Sequence, residues 1–186
     1  MRGPWTMDSV FTAFDFRLRD GRVLQMRATR PADEAALLQA FDRLSPEARY
    51  TRFMRAVGAP NVERLRKLLA SLPEIGLGIL AVCGETDIAG SALFLIGKDP
   101  TVCEFATTVA GGYAGLGLGR ALMTALIGAA KRRGLLEMEG YVLASNQPML
   151  RLASRLGFTI ARDPDDPSVL ICRLRLDDIR QPQQTS

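Results

Sequence analysis

Thr107-Thr108-Val109-Ala110-Gly111-Gly112-Tyr113-Ala114-Gly115-Leu116-Gly117-Leu118-Gly119-Arg120 is the stretch that decides the fold. Before it, Thr101 to Val109 is rich in Val, Thr and Phe and predicts a strand. After it, Leu118, Leu122, Ala125, Leu126 and Ala129 recur at helical spacing, and Gly134 ends the pattern after Lys131, Arg132 and Arg133. Strand, glycine-rich turn and helix, in that order, present free backbone N–H groups and a positive helix end to an anion. The glycines keep Cβ atoms out of its way. A P-loop needs GxxxxGK[ST], and no Lys-Ser or Lys-Thr follows here; the dinucleotide pattern GxGxxG fails too, because its last glycine would fall on Arg120 or Leu122. Glycines at alternate positions give up backbone entropy at a helix start, so a ligand-free turn is the weaker reading.

Around this unit the chain alternates between the two periods. Phe11 to Arg19 and Val23 to Thr29 read as strands about an Asp20-Gly21 turn. Ala35, Leu38, Phe41 and Leu44 mark a helix opened by Pro31, a short helix follows Ser45-Pro46, and Asn61 can cap a third that carries Val62, Leu65, Leu68 and Leu69. Ile75 to Cys83 and Ile88 to Ile96 are apolar runs separated by Gly84-Glu85-Thr86-Asp87, and read as antiparallel strands. Beyond the glycines come a strand from about Glu137 to Leu143, a helix from Asn146 to Arg155 stopped by Gly157, and two closing strands around Asp163 to Pro167. The expected organisation is an N-terminal extension at 1–10, one domain at 11–178 and a disordered tail at 179–186.

Composition narrows the chemistry. The 186 residues contain no histidine, so a Ser-His-Asp or Cys-His nucleophile is excluded, and acid–base work falls to carboxylate, Tyr, Lys or water. Cys83, Cys103 and Cys172 are an odd number with no metal-ligand spacing, so they read as reduced, packed thiols and no metal is expected. The net charge of +4 is scattered, which does not favour nucleic acid as a partner. No apolar run suits a membrane span or a secretory signal, so a cytoplasmic protein without a membrane partner is expected. A homodimer stays open.

The stretch Ala114-Gly115-Leu116-Gly117-Leu118-Gly119 resembles the pyrophosphate loop Q/R-x-x-G-x-G/A of the GNAT acyltransferase superfamily, with Ala114 where the family has Gln or Arg. Asn146-Gln147-Pro148-Met149 through Gly157-Phe158 is similar to that superfamily's second motif. Arg30-Pro31-Ala32-Asp33 and Leu44 to Phe53 resemble, more narrowly, the GNAT domains of bacterial protein lysine acetyltransferases. The resemblance implies an α/β (α+β) GNAT fold: a mixed, mostly antiparallel twisted sheet of six to seven strands, flanked by four to five helices, with a splayed gap between the family's fourth and fifth strands. It implies acetyl-CoA as cosubstrate and an amine acceptor, either a protein lysine or a small molecule. Cofactor contacts then fall on Thr108, Val109, Ala114, Gly115, Leu116, Gly117, Leu118, Gly119, Arg120 and Asn146.

Glu104 stands amid Val102, Cys103, Phe105 and Ala106, where desolvation would raise its pKa toward that of a useful general base. The resemblance puts the catalytic glutamate of the protein-acetylating branch there as well. Strand alternation allows the opposite, a glutamate facing solvent. The Tyr that many family members carry seven residues after the motif Asn is Ala153, so the thiolate's proton donor is open among Ser154, Tyr113, Tyr141 and water. Asn146 suits both a helix cap and a contact to the pantetheine chain. Arg49, Arg52 and Arg55 recur on one helical face, which would suit either solvent or an acidic acceptor surface. A non-catalytic acyl-CoA-binding or sensing module is the alternative to the enzyme.

Overall fold

Asp20-Gly21 does turn the chain. Gly21 takes φ +93°, and the Leu18 N–H donates to Arg22 O at 2.8 Å, folding β1 (Phe14–Arg17) onto β2 (Val23–Ala28). The computed structural model describes residues 11–53, 59–84 and 86–177. The expected extension at 1–10, the expected tail at 179–186, Arg55 and the side chain of Arg52 lie outside what is described.

A short 3-10 turn at Pro31–Asp33 leads into α1 (Glu34–Asp42), then α2 (Pro46–Phe53) and α3 (Val62–Ile75). Asn61 caps α3, its side chain accepting from the Arg64 N–H at 2.8 Å. β3 (Gly76–Cys83), β4 (Asp87–Ile96) and β5 (Val102–Val109) follow as an antiparallel meander. Next come α4 (Leu118–Arg132), β6 (Glu137–Leu143), α5 (Gln147–Arg155), β7 (Thr159–Arg162) and β8 (Val169–Arg175). The sheet order is β1-β2-β3-β4-β5-β6-β8-β7, eight strands against the six to seven expected, because the opening hairpin adds to the edge. Among the described residues β5 and β6 form the one parallel pair, with α4 as the crossover that such a pair requires.

The two faces of the sheet are covered differently. α4 buries Leu118, Leu122, Met123, Leu126, Ala129 and Ala130, each such leucine contributing about 1.5–3 kcal/mol. Gly90 lets α4 close on β4, since a Cβ there would stand 3.0 Å from Leu122. On the other face Leu80, Val82 and Ile88 pack against Ala36, Leu37 and Ala40. Cys103 and Cys172 are buried and Cys83 is half-buried, all three as free thiols. Burial pushes the Cys103 thiol up to about 12 and the Cys172 thiol up to about 11.

The feature that positions the site is an incomplete ladder. β5 and β6 pair only at Val102↔Glu137, Cys103↔Met138 and Glu104↔Glu139, whereas β6 stays paired with β8 as far as Leu143↔Val169. The strands part after Glu104 and Glu139. At the parting point the Phe105 ring lies across Gly140, where a Cβ would come within 2.4 Å of the ring, and meets Phe158 edge-on at 5.3 Å. Glycine at 140 is therefore what lets an aromatic side chain occupy the place where the strands separate.

Candidate active site

The glycine loop runs straight out of β5 into α4, at the open end of this gap. Gly115 and Gly117 have φ +75° and +93°, a region that costs other residues about 1–2 kcal/mol. A Cβ on Gly115 would meet no atom, so conformation, and not lack of space, demands glycine there. Gly119 differs. Its Cβ would stand 3.5 Å from Leu152 and 3.7 Å from Val109, ordinary packing distances, so neither space nor a positive φ demands glycine there.

With this backbone, and among the described residues, the N–H groups of Gly115, Leu116, Gly117, Leu118, Gly119 and Arg120 have no acceptor; the first to be satisfied is Ala121, on Gly117 O at 3.1 Å. Five of these donors, all but that of the buried Leu118, belong to partly or fully exposed residues at the start of a 15-residue helix, which suits them to an anion. Ala114 does not contribute its own donor, which is spent on Gly111 O at 3.2 Å. Leu118 is wholly buried, main chain included, so the contact expected of it is not available to a ligand. Arg120 is exposed in the first helical turn, within reach of the same space.

The gap itself is lined by main chain. Ala110 N–H donates to Ala89 O at 2.9 Å, so by strand alternation the polar groups of Thr108 turn to β4, while those of Phe105, Thr107 and Val109 turn to the unpaired side. Val109 of the expected set thus offers its backbone to the gap and Thr108 does not. Across the gap, Asn146 caps α5 by accepting from the Met149 N–H at 3.2 Å. Its cap role is established by that bond.

Glu104 stands at the last paired position of β5, and its surroundings correct the argument made for it. It is exposed, with Cys103 and Phe105 turned to the buried face, so it takes the solvent-facing place that strand alternation allows. Its neighbours are set by register: Leu95 on β4, then Glu139 on β6, then Arg173 on β8, all on one face. Arg173 Nε lies 3.2 Å from Glu139 and 3.9 Å from Glu137. One pleat on, Tyr141 is exposed, and its hydroxyl is pushed up by the charge of Glu139, then by burial and by the charges of Glu104 and Asp163, with Arg173 opposing. Three carboxylates, of Glu104, Glu137 and Glu139, thus stand near the head of the gap with the Arg173 guanidinium among them.

Other expected participants have structural work. Ala153 is buried in the core, with Ser154 exposed beside it. The Tyr113 hydroxyl donates to Asp87 at 3.3 Å and its ring carries the Arg22 guanidinium at 4.4 Å; burial first, then Asp87, raises its pKa. Arg49 lies over the Phe41 ring at 4.6 Å and donates to Asp42 O at 3.0 Å, which fixes α2 against α1. Asp33, of the Arg30 to Asp33 segment, accepts both guanidinium nitrogens of Arg27 at 2.8 and 2.7 Å and the Arg30 N–H at 2.7 Å.

Sequence reasoning missed Arg19 and Arg22, which brace the loop from the first hairpin. Arg22 Nη2 donates to Gly112 O at 2.9 Å, and the Arg19 N–H to Leu116 O at 3.3 Å. A contact spanning 90 residues leaves no local pattern to find. Glu139 was missed for a similar reason, since only the strand register brings it beside Glu104.

Sequence and fold are similar to those of known acetyltransferases. Residues 37–158 match the model of the acetyltransferase (GNAT) family. An acetyltransferase of Pseudomonas aeruginosa, PA5475, is 34% identical over 162 residues, which span 86% of this chain and 87% of that protein. The GNAT domain of S. lividans PAT superposes with a TM-score of 0.80 at 21% identity, over 88% of this chain and 96% of that one. The protein yncA of Salmonella typhimurium, solved with its cofactor acetyl-CoA, gives a TM-score of 0.68 at 20% identity, over 87% of this chain and 99% of that one. The chain belongs to the GNAT acetyltransferase family, and it is an acyltransferase.

No helix among the described residues is long and apolar enough to cross a membrane.

Proposed function

We propose that this chain moves an acetyl group from acetyl-CoA to a primary amine, of a protein lysine or a small molecule, in the cytoplasm. The observation that carries the reading is the gap between β5 and β6, with free main-chain groups along one side, an anion nest at its open end and Glu104 at its head. These features fit an elongated molecule with a diphosphate at one end and a reacting group at the other. When bound, acetyl-CoA supplies an acetyl thioester. The N–H groups of Gly115, Leu116, Gly117, Gly119 and Arg120 would hold its diphosphate, and the main chain of Thr107 and Val109, together with Asn146, would hold the arm between.

Glu104 is the general base. An amine attacks only when neutral, and a carboxylate at the head of the gap can accept its proton directly or through one water. The carboxylates around Tyr141 support a cationic acceptor, because an ammonium group is drawn there before it is deprotonated. Tyr141 keeps its O–H to higher pH than an isolated tyrosine, so it is available as a donor where Ala153 is not.

Incubation with acetyl-CoA and a panel of lysine peptides, polyamines and amino acids, read as free thiol, tests the reaction. Acceptor-dependent release is expected, with Glu104→Gln slower by roughly 10²- to 10⁴-fold, the range for loss of a general base. Unchanged turnover in Glu104→Gln across pH would remove the base assignment. Tight acetyl-CoA binding with no release to any acceptor would favour the binding module, a reading that the substitutions at Ala114 and Ala153 support.

A further inference from the structure

The glycine loop has little of its own to hold it. A Cβ on Gly111, Gly112 or Gly115 would meet no atom within 4 Å, so these positions stand clear of packing. The turn between β1 and β2 supplies what is missing, and it does so through the loop's carbonyls. Arg22 Nη2 donates to Gly112 O at 2.9 Å, while the same guanidinium is pinned by Asp20 at 2.8 Å and seated on the Tyr113 ring at 4.4 Å. The Tyr113 hydroxyl is anchored in turn on Asp87 at 3.3 Å, and Asp87 on Arg43 at 2.6 Å. Further along the loop the Arg19 N–H takes Leu116 O at 3.3 Å. Among the described residues every peptide bond is trans, so a carbonyl and the N–H that follows it point to opposite sides. Holding Leu116 O toward the hairpin therefore turns the Gly117 N–H away from it, to the face where a ligand can lie.

We infer that the β1–β2 hairpin pre-organises the glycine loop for the acyl donor, with Arg22 as the positioning residue. A loop that must be ordered on binding costs conformational entropy at that moment, and a loop whose competent arrangement is only partly populated binds with an affinity reduced by that fraction. Arg22 acts from behind the loop, on an oxygen, and is not itself a ligand contact. It ties the loop to the hairpin twice, at the main chain of Gly112 and at the ring of Tyr113. Once the donor is bound, its own contacts hold the loop, so losing the brace weakens binding and leaves the chemical step alone. The inference rests on the acetyl-CoA reading.

Calorimetric titration of acetyl-CoA into wild type, Arg22→Met, Tyr113→Leu and Arg17→Met tests it. Arg17 belongs to the same hairpin, but its side chain donates to Gly21 O at 3.0 Å and not to the loop. Removing the brace is expected to raise the acetyl-CoA Kd roughly five- to thirty-fold in Arg22→Met, with a smaller rise in Tyr113→Leu, as the competent fraction of the loop falls. Arg17→Met is expected to bind as wild type does. The Arg22 side chain is 42% exposed, so its variant should fold, and Tyr113→Leu reaches the same brace by a second substitution. With the best acceptor of the amine panel, Arg22→Met should raise the KM for acetyl-CoA by the same factor, while kcat and the acceptor's KM stay as in wild type. Three results would each overturn the inference: an unchanged Kd in Arg22→Met, an equal loss in Arg17→Met, or a fall in kcat that matches the rise in Kd. A wild-type protein that binds no acetyl-CoA would instead remove the acetyl-CoA reading, and this inference with it.

Discussion

Asp33 shows how one carboxylate is committed to structure. Burial opposes its ionisation most, but the hydrogen bonds from Arg27 and from the Arg30 N–H outweigh this and hold it below the usual carboxylate range. The folded protein therefore releases this proton more readily than the unfolded chain. Its contribution is complete above an ordinary aspartate pKa of about 4 and is lost as the pH falls through the depressed value. Asp33→Asn leaves Arg27 nearly buried without its partner, and denaturant titration at pH 7 is expected to show a loss of about 3 kcal/mol. The wild type should lose stability between pH 7 and pH 3 more steeply than the variant. At Cys103 and Cys172 burial favours the protonated thiol, so neither should react with a thiol reagent at pH 8 until the protein is unfolded; labelling followed by mass spectrometry reads this. Cysteine packing was legible in the sequence because each thiol sits in an apolar run. For Glu104 the sequence left both a desolvated and a solvent-facing place open, and the structure takes the second; its carboxylate neighbour was not legible, because it comes from pairing with β6.

Among the elements, the loop and the gap depend on single glycines. Gly117→Ala places a Cβ on a backbone at φ +93° and is expected to cost about 1–2 kcal/mol of stability, with weaker acetyl-CoA binding in calorimetry as the nest distorts. Gly140→Ala drives a Cβ to within 2.4 Å of the buried Phe105 ring. Overpacking at such a site is expected to cost about 1–3 kcal/mol, measured as a shifted denaturation midpoint. The sequence predicted β6 at Glu137 to Leu143 and the start of α4 at Leu118, where turn chemistry and periodicity agree. Boundaries slipped where they conflict: Ile75 ends α3 instead of opening β3, and β1 is shorter than Phe11 to Arg19. The splaying of the β5–β6 pair entered through the family resemblance, and nothing in the apolar pattern of either strand shows where pairing stops.

Across the molecule the site is assembled from parts far apart in the chain. The first hairpin braces the loop, β5 and β6 form the gap, and α5 stands at its far side. The glycine loop was legible because a nest is a local backbone structure. The acidic pair Glu104 and Glu139 on β5 and β6, with Arg173 beside it on β8, was not, because register alone composes it. The reading stands or falls on whether the gap and its loop bind acetyl-CoA, and calorimetric titration joined to a thermal melt measures this. Saturable binding near one molecule per chain is expected. A hundredfold excess over the measured Kd should add about 2.7 kcal/mol, which raises the melting temperature of a domain this size by roughly 5–11 °C. No heat of binding and no shift in melting temperature at millimolar acetyl-CoA would contradict it.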